Sequence, residues 1–331
     1  MSTVLQRTIT FACMLAICVV VLGAYTRLSN AGLGCPDWPG CYGFLTVPNE
    51  VHEITAAQLK FPSSQIEPRK AWIEMIHRYF AGSLALVVVL LFAVIIRSKA
   101  QHAPKVLAST LVLMIGVQAL LGMWTVTMNL QPFVVMGHLL GGFTVLSLLT
   151  LLYLRAAPPS VEYEAQASTC LKVGVVCTGI LVLQIALGGW LAANYAAPHC
   201  TGLPLCSNSE LFSWSSLLEL PKPSSTYEYG VLPFETRLSI HLMHRIWASV
   251  TLLALVAMAV FVHFKISQPI IRKAVNQVAT LVLFQVAVGG IIVYFKFPIL
   301  LTLFHNLMAA LLLLALVRAC FLLSRARQIW V

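Results

Sequence analysis

The chain has 331 residues, of which 59% are hydrophobic and only 10% are charged. A soluble domain needs far more charge on its surface, so this composition excludes a soluble protein and indicates an integral membrane protein. The formal net charge of +10 does not indicate a nucleic-acid partner, because the basic residues are concentrated in alternate connections between apolar segments.

Eight segments are apolar and long enough to cross a bilayer core of about 30 Å, which requires about 20 helical residues. In chain order they are residues 8–27, 75–97, 106–126, 132–154, 170–194, 240–264, 274–295 and 298–323. The first run reaches full spanning length without a small-residue cleavage site, which predicts an uncleaved helix and not a signal peptide. The sequence therefore predicts an all-α integral membrane protein with eight transmembrane helices.

The connections between these helices differ in charge. The short connections, 97–105 and 265–273, carry Lys and Arg, as does the C-terminus, whereas the long connections, 28–73 and 195–239, carry most of the Asp and Glu. Short basic connections stay in the cytoplasm. We therefore expect both termini to be cytoplasmic and both long connections to lie on the opposite side. His102, in the first short connection, is interpreted as a solvated loop residue.

An internal repeat divides the chain into two halves. One shift of 167 residues superposes four pairs and a shift of 165 superposes two more: His77 on His244, His138 on His305, Gln118 on Gln285, Gly122 on Gly289, Cys35 on Cys200 and Cys41 on Cys206. The halves, residues 1–160 and 165–331, each contain four predicted helices, so both have the same orientation in the membrane. This predicts two pseudo-repeated four-helix bundles.

Four histidines lie near the same end of the second, fourth, sixth and eighth helices: His77, His138, His244 and His305. Each half thus presents two imidazoles at a similar depth, which is the arrangement that holds a haem through both axial positions of its iron. The alternative is that each histidine hydrogen-bonds a neighbouring helix or faces a polar cavity. A zinc or copper site fits less well, because neither half offers HExxH or a third and fourth ligand.

Three arginines are candidates to bind the haem propionates, because a guanidinium group binds carboxylates bidentately. Arg78 and Arg245 directly follow the first histidine of each pair, and Arg27 lies near the corresponding end of the first helix. The alternative for each arginine is that it extends toward lipid headgroups.

One substitution separates the two halves. Glu74 lies three residues before His77, and the corresponding residue before His244 is His241. Glu74 is therefore the best candidate for an acid–base group. Its negative charge could instead stabilise positive charge that develops during the reaction. The alternative is an exposed glutamate at the start of a helix, where the helix dipole favours it.

Four of the nine cysteines lie in the long connections, as the pairs Cys35–Cys41 and Cys200–Cys206. On the oxidising side of the membrane each pair can close a small disulfide. The disulfides would either stabilise the loop conformation or exchange with thiols to deliver electrons.

Residues 23–43 (GAYTRLSNAGLGCPDWPGCYG), residues 74–82 (EMIHRYFAG) and the paired histidines together resemble the haem A synthase family over essentially the whole chain. The resemblance implies an oxidoreductase that converts a methyl group of haem O to a formyl group by two successive hydroxylations. It also implies that His244 and His305 hold a resident haem b. His77 and His138 would receive the substrate haem O, with Glu74 assisting the chemistry.

The resemblance further implies a multi-pass protein of the inner (cytoplasmic) membrane and an electron donor that no residue identifies. Haem O synthase is a candidate partner because a free hydrophobic haem is poorly soluble, and formation of a homo-oligomer is left open. Two alternatives remain. A dihaem b-type electron-transfer protein would normally place histidines near both membrane surfaces, and a membrane thiol/disulfide oxidoreductase would leave the histidines unexplained.

Overall fold

The computed structural model describes residues 3–99 and 103–327, so His102 lies outside the described residues. These residues form α-helices, two short 3-10 helices and connecting loops, without an extended strand. The helices are α1 (Thr3–Leu28), α2 (Val51–Lys60), α3 (Pro68–Arg97), α4 (Lys105–Thr127), α5 (Pro132–Ala156), α6 (Ala167–Ala193), α7 (Trp214–Leu217), α8 (Phe234–Lys265), α9 (Pro269–Tyr294) and α10 (Ile299–Ala326).

Eight of the helices in the described part of the chain are long and apolar enough to span a membrane, which confirms the prediction. Proline at the first helical position of α3, α5 and α9 suits their starts, because that residue needs no backbone donor. Helix α3 begins at Pro68 and not at 75, and α8 begins at Phe234 and not at 240. Hydropathy misses these first turns because they carry polar residues, although the backbone is already helical.

The spanning helices pack as two four-membered rings. In the first ring α1 contacts α3 and α5, and α4 contacts the same two helices. In the second ring α6 contacts α8 and α10, and α9 contacts those two. The rings meet where α5 packs against α6 and α10 and where α1 packs against α10, and one continuous apolar core runs through both.

The two long connections, loop A (residues 29–67) and loop B (residues 194–233), fold over the same end of the bundle. Loop A contains α2, which was not predicted, and packs Cys35, Cys41 and Tyr42 against Met75 of α3. Loop B reaches the first ring, where Asn129 Nδ2 donates to the Ser225 carbonyl at 2.9 Å. We call this end the loop side.

The linker between the halves docks on the opposite end. The Glu164 carboxylate accepts hydrogen bonds from the backbone N–H of Ser267 (2.8 Å) and of Gln268 (3.0 Å), at the start of α9. Burial alone would raise the pKa of Glu164, but the hydrogen bonds from Ser267 and Gln268 outweigh it and hold the pKa below its ordinary value.

Candidate functional site

A cavity of about 700 Å³ opens inside the first helix ring, near the loop side. Most of its walls come from α1, α3, α4 and α5, with Gly189 and Ala192 of α6 and Asn306 of α10 at the interface between the rings, and Trp38 and Leu45 of loop A line it on the loop side. Small-molecule sites in proteins span about 300–1,000 Å³ and are mostly apolar with a few polar groups. Here the polar groups include His77, His138 and Glu74, so the cavity gathers the predicted site residues of the first half.

His77 of α3 and His138 of α5 face each other across this cavity. Their ring centroids are 6.4 Å apart and the rings are inclined at 89°. Two metal–nitrogen bonds of about 2 Å each, together with half a ring at either end, fill a separation of this size. Both Nδ1 atoms are buried and have no hydrogen-bond partner of normal geometry among the described residues, although the His77 ring interacts with the Val19 carbonyl and the His138 ring with the Gln118 carbonyl. The pair therefore fits the two axial ligands of a haem iron.

Glu74 is only 4% exposed, which excludes the exposed helix-start alternative. Its Oε2 accepts a hydrogen bond from the Cys35 backbone N–H at 3.0 Å, and its Oε1 pairs with the Arg78 guanidinium. Arg78 also donates to the carbonyls of Asp37 (2.9 Å) and Gly40. Glu74 and Arg78 thus connect the cavity wall to the disulfide loop above it.

In the second half, His244 of α8 and His305 of α10 occupy the corresponding places. The Gln184 side-chain amide lies 3.3 Å from Nδ1 of His244 and donates to the His244 carbonyl at 3.2 Å. Gln285 donates to the His305 carbonyl at 3.1 Å, and Nδ1 of His305 is buried without a hydrogen bond among the described residues. These two imidazoles also carry the donor chemistry that a haem iron requires.

His241 takes the place of Glu74 beside the second pair. It is 4% exposed, and its Nδ1 lies 2.9 Å from the Ala197 carbonyl of loop B. Both residues therefore contact the loop above their own helix ring. They differ in charge, since a carboxylate lies beside His77 and an imidazole lies beside His244.

The three arginines are already engaged with the protein. Arg245 donates to the Cys200 carbonyl at 2.7 Å and to the Gly202 carbonyl at 2.8 Å, in the manner of Arg78. Arg27 donates to the Ala192 carbonyl, and its guanidinium lies 3.7 Å from the Tyr195 ring centroid. Because a guanidinium has five N–H donors, these contacts leave some donors for propionates. Arg27 and Arg78 line the cavity.

Each cysteine pair of the long connections forms a disulfide, Cys35–Cys41 in loop A and Cys200–Cys206 in loop B. All four residues are buried, with at most 4% of their surface exposed. Burial in this conformation favours the structural role over exchange with an outside thiol.

Sequence reasoning missed two contributors to the sites. Gln184 contacts His244, but its counterpart under the 165-residue shift is Val19, so the repeat gives no signal for it. Tyr195 stacks on Arg27 from loop B, a contact between the halves that a pattern within one half does not reveal.

Comparison with known proteins gives near-full-length matches. The family model described as cytochrome oxidase assembly protein matches residues 6–317. The haem A synthase of Shewanella oneidensis strain MR-1 is 45% identical over 310 residues, which cover 90% of each chain. The haem A synthases of Shouchella clausii and Rickettsia canadensis are 26% and 21% identical, over 93% and 98% of this chain and 93% and 99% of their own.

Proposed function

Since the chain belongs to the family of cytochrome oxidase assembly proteins, we propose that it is an oxidative enzyme of haem biosynthesis that converts haem O to haem A. The reaction turns one methyl group of the substrate into a formyl group through two successive hydroxylations. The observation that carries the proposal is the pair of imidazoles facing each other across an apolar cavity, in a chain that resembles haem A synthases throughout.

We assign substrate binding to the first half. His77 and His138 would hold the iron of haem O, and the apolar cavity walls would exclude water from the macrocycle. Arg27 and Arg78 line the same cavity and would pair with the propionates. The alternative arginine role, contact with lipid headgroups, is less consistent with their contacts to loop carbonyls and to Tyr195.

We propose that the negative charge of the Glu74 carboxylate assists turnover. Its carboxylate lines the cavity and is held by Arg78 on one oxygen and by the Cys35 N–H on the other. A carboxylate fixed in this way can stabilise positive charge that develops on the substrate or accept a proton at Oε1 or Oε2. The corresponding His241 cannot supply a negative charge to the second half.

We assign a resident haem b to the second half, held by His244 and His305. When bound, haem b would supply one-electron redox chemistry. Gln184 and Gln285 would keep the two ligand-bearing helix segments in place through their bonds to the His244 and His305 carbonyls.

We further propose a multi-pass protein of the inner membrane with both termini in the cytoplasm and loops A and B on the opposite side. The acidic loops and the basic short connections support this orientation. The two hydroxylations oxidise the methyl carbon by four electrons in total, so the reaction requires an external oxidant, together with an electron donor where that oxidant is molecular oxygen. Haem O synthase is the candidate supplier of the poorly soluble substrate.

Pigment extraction tests the proposed function. Protein is purified from cells with and without a co-expressed haem O synthase, and the extracted haems are separated by chromatography. We expect haem b in both samples, and haem A together with residual haem O only in the co-expressing cells. Haem b alone in both samples would instead indicate an electron-transfer protein, and protein free of haem would favour a thiol oxidoreductase.

A further inference from the structure

Each of the four histidine rings lies against a glycine of a neighbouring helix. A Cβ atom added to the glycine would meet Cε1 of the imidazole at a distance tighter than ordinary van der Waals contact. The pairs are Gly23 with His77 at 2.9 Å, Gly122 with His138 at 3.3 Å, Gly188 with His244 at 3.1 Å and Gly289 with His305 at 3.2 Å.

The contact involves the same ring atom at all four sites, although the nearest ring nitrogen is Nε2 in the first half and Nδ1 in the second. The nearest atom is Cε1 each time, and the next nearest atoms are nitrogens of the same ring. Because Cε1 lies between the two ring nitrogens, an atom pressed against it rotates or shifts both nitrogens together. The glycines also follow the repeat, since the 165-residue shift carries Gly23 onto Gly188 and the 167-residue shift carries Gly122 onto Gly289.

Close packing of a glycine is not general in these helices. Four other glycines, Gly82, Gly116, Gly179 and Gly290, lie in α3, α4, α6 and α9, and a Cβ added to any of them meets no atom of the described residues within 4 Å. The four glycines beside histidines instead lie in the four most extensive helix contacts, α1 with α3, α4 with α5, α6 with α8 and α9 with α10. Small residues let helix backbones approach closely, and here the approach brings one backbone against an imidazole.

We propose that Gly23, Gly122, Gly188 and Gly289 are positioning residues that set the rotation of the four imidazoles. This inference rests on the proposed function, in which these histidines hold haem iron. Among the described residues, the Nδ1 atoms of His77, His138 and His305 find no hydrogen-bond partner of normal geometry, and only His77 and His138 have a backbone carbonyl nearby, of Val19 and Gln118 respectively. Contact with the glycine backbone therefore adds a steric constraint on ring rotation to the polar contacts that usually orient a metal-binding histidine.

Spectroscopy of the resident haem tests the proposal in the second half. Gly188→Ala and Gly289→Ala are compared with Gly179→Ala and Gly290→Ala, which add the same methyl group to the same two helices in open space. We expect the first pair to change the low-spin electron paramagnetic resonance signals and the midpoint potential of the haem. The second pair should match the wild type, because orientation of an axial ligand affects both properties and helix propensity affects neither.

The first half supplies a second measurement that does not depend on how the second half tolerates a methyl group. In Gly23→Ala and Gly122→Ala the resident haem reports that the protein is folded, and its signals should remain those of the wild type. Binding of added haem O should weaken about 10- to 100-fold, the range typical of lost support around a metal ligand. Gly116→Ala adds the same methyl group to α4 in open space and away from the cavity lining, and it is the matched control.

Two results would overturn the proposal. One is an identical haem spectrum and potential in Gly289→Ala and Gly290→Ala, and the other is unchanged haem O binding in Gly23→Ala. If the proposed function itself is wrong, a different result is expected, because His305→Ala would then retain the resident haem at the wild-type level.

Discussion

Glu74 and His241 occupy equivalent places in α3 and α8, and both are buried beneath a loop. A buried carboxylate is expensive unless it is paired and hydrogen-bonded, and Glu74 has both an arginine and a backbone N–H as partners. These contacts admit a structural role in holding loop A and a chemical role at the cavity wall. The two roles differ in what they predict for a neutral side chain of the same shape.

Glu74→Gln should retain both haems and form little haem A. The amide keeps the side-chain volume and an acceptor for the Cys35 N–H, but it removes the negative charge that the reaction would use. Loss of acid–base assistance typically slows a reaction by about 10²–10⁴-fold. The measurement is the ratio of haem A to haem O in a strain that expresses haem O synthase, normalised to purified protein.

Glu67→Gln is the control, because it removes a carboxylate just before α3 that pairs with Lys70 in an exposed position. Surface pairs of this kind contribute about 0–1 kcal/mol, so conversion should be unchanged. If Glu74→Gln converts haem O to haem A at the wild-type rate, the chemical role of Glu74 is contradicted and only its structural contact with loop A remains.

The helices show which parts of this fold a sequence can predict. All eight spanning helices were found from hydropathy, because a bilayer requires about 20 apolar residues in each. Helix α2 was missed because it lies in a loop, although Glu53 caps its start through the Asn49 and Glu50 N–H groups. The repeat located the histidines, whereas the glycine contacts require distances between helices that no sequence spacing contains.

The linker helps to fix the second ring through Glu164, and this contact should depend on pH. The pKa of Glu164 is lowered in the folded protein, so its stabilising effect is present above the unfolded value of about 4.3 and is lost as the pH falls through the folded value. Glu164→Gln should therefore lower the thermal unfolding temperature at pH 7, and the difference from the wild type should shrink below about pH 4.

Glu162→Gln removes the same charge from the same linker and serves as the control. The hydrogen bonds between Glu162 and the Gln268 side chain involve only the backbone of Glu162, so the substitution leaves them intact. The variant should unfold like the wild type at both pH values. A pH-independent effect of Glu164→Gln would show that the charge of Glu164 does not stabilise the linker.

Loops A and B should be accessible from one side of the membrane only, with their cysteines oxidised. A membrane-impermeant thiol reagent applied to intact cells is expected to label Cys35, Cys41, Cys200 and Cys206 only after reduction, because both pairs form disulfides. Cys18 is free, but it lies within the apolar span of α1 and should remain unlabelled. Labelling of the four cysteines without reduction would contradict the disulfides, and labelling only in inverted vesicles would contradict the orientation.

At the scale of the whole molecule, two similar helix rings differ in the residues beside their histidine pairs. The first ring has Glu74 and a cavity of about 700 Å³, and the second has His241 and the Gln184 contact to His244. The rings share α1, α5, α6 and α10 as their interface, and Asn306, which follows His305, lines the cavity of the first ring. This arrangement suits a resident redox group in one half and a substrate in the other.

The haem content of histidine variants tests this division of labour most directly. Each variant is expressed with haem O synthase, and haems b, O and A are quantified per purified protein. His244→Ala and His305→Ala should lose haem b, whereas His77→Ala and His138→Ala should keep haem b at the wild-type level and form little haem A. His263→Ala, near the far end of α8, is the control and should match the wild type. Loss of haem b from the His77 and His138 variants, with haem b retained in the His244 and His305 variants, would contradict the account.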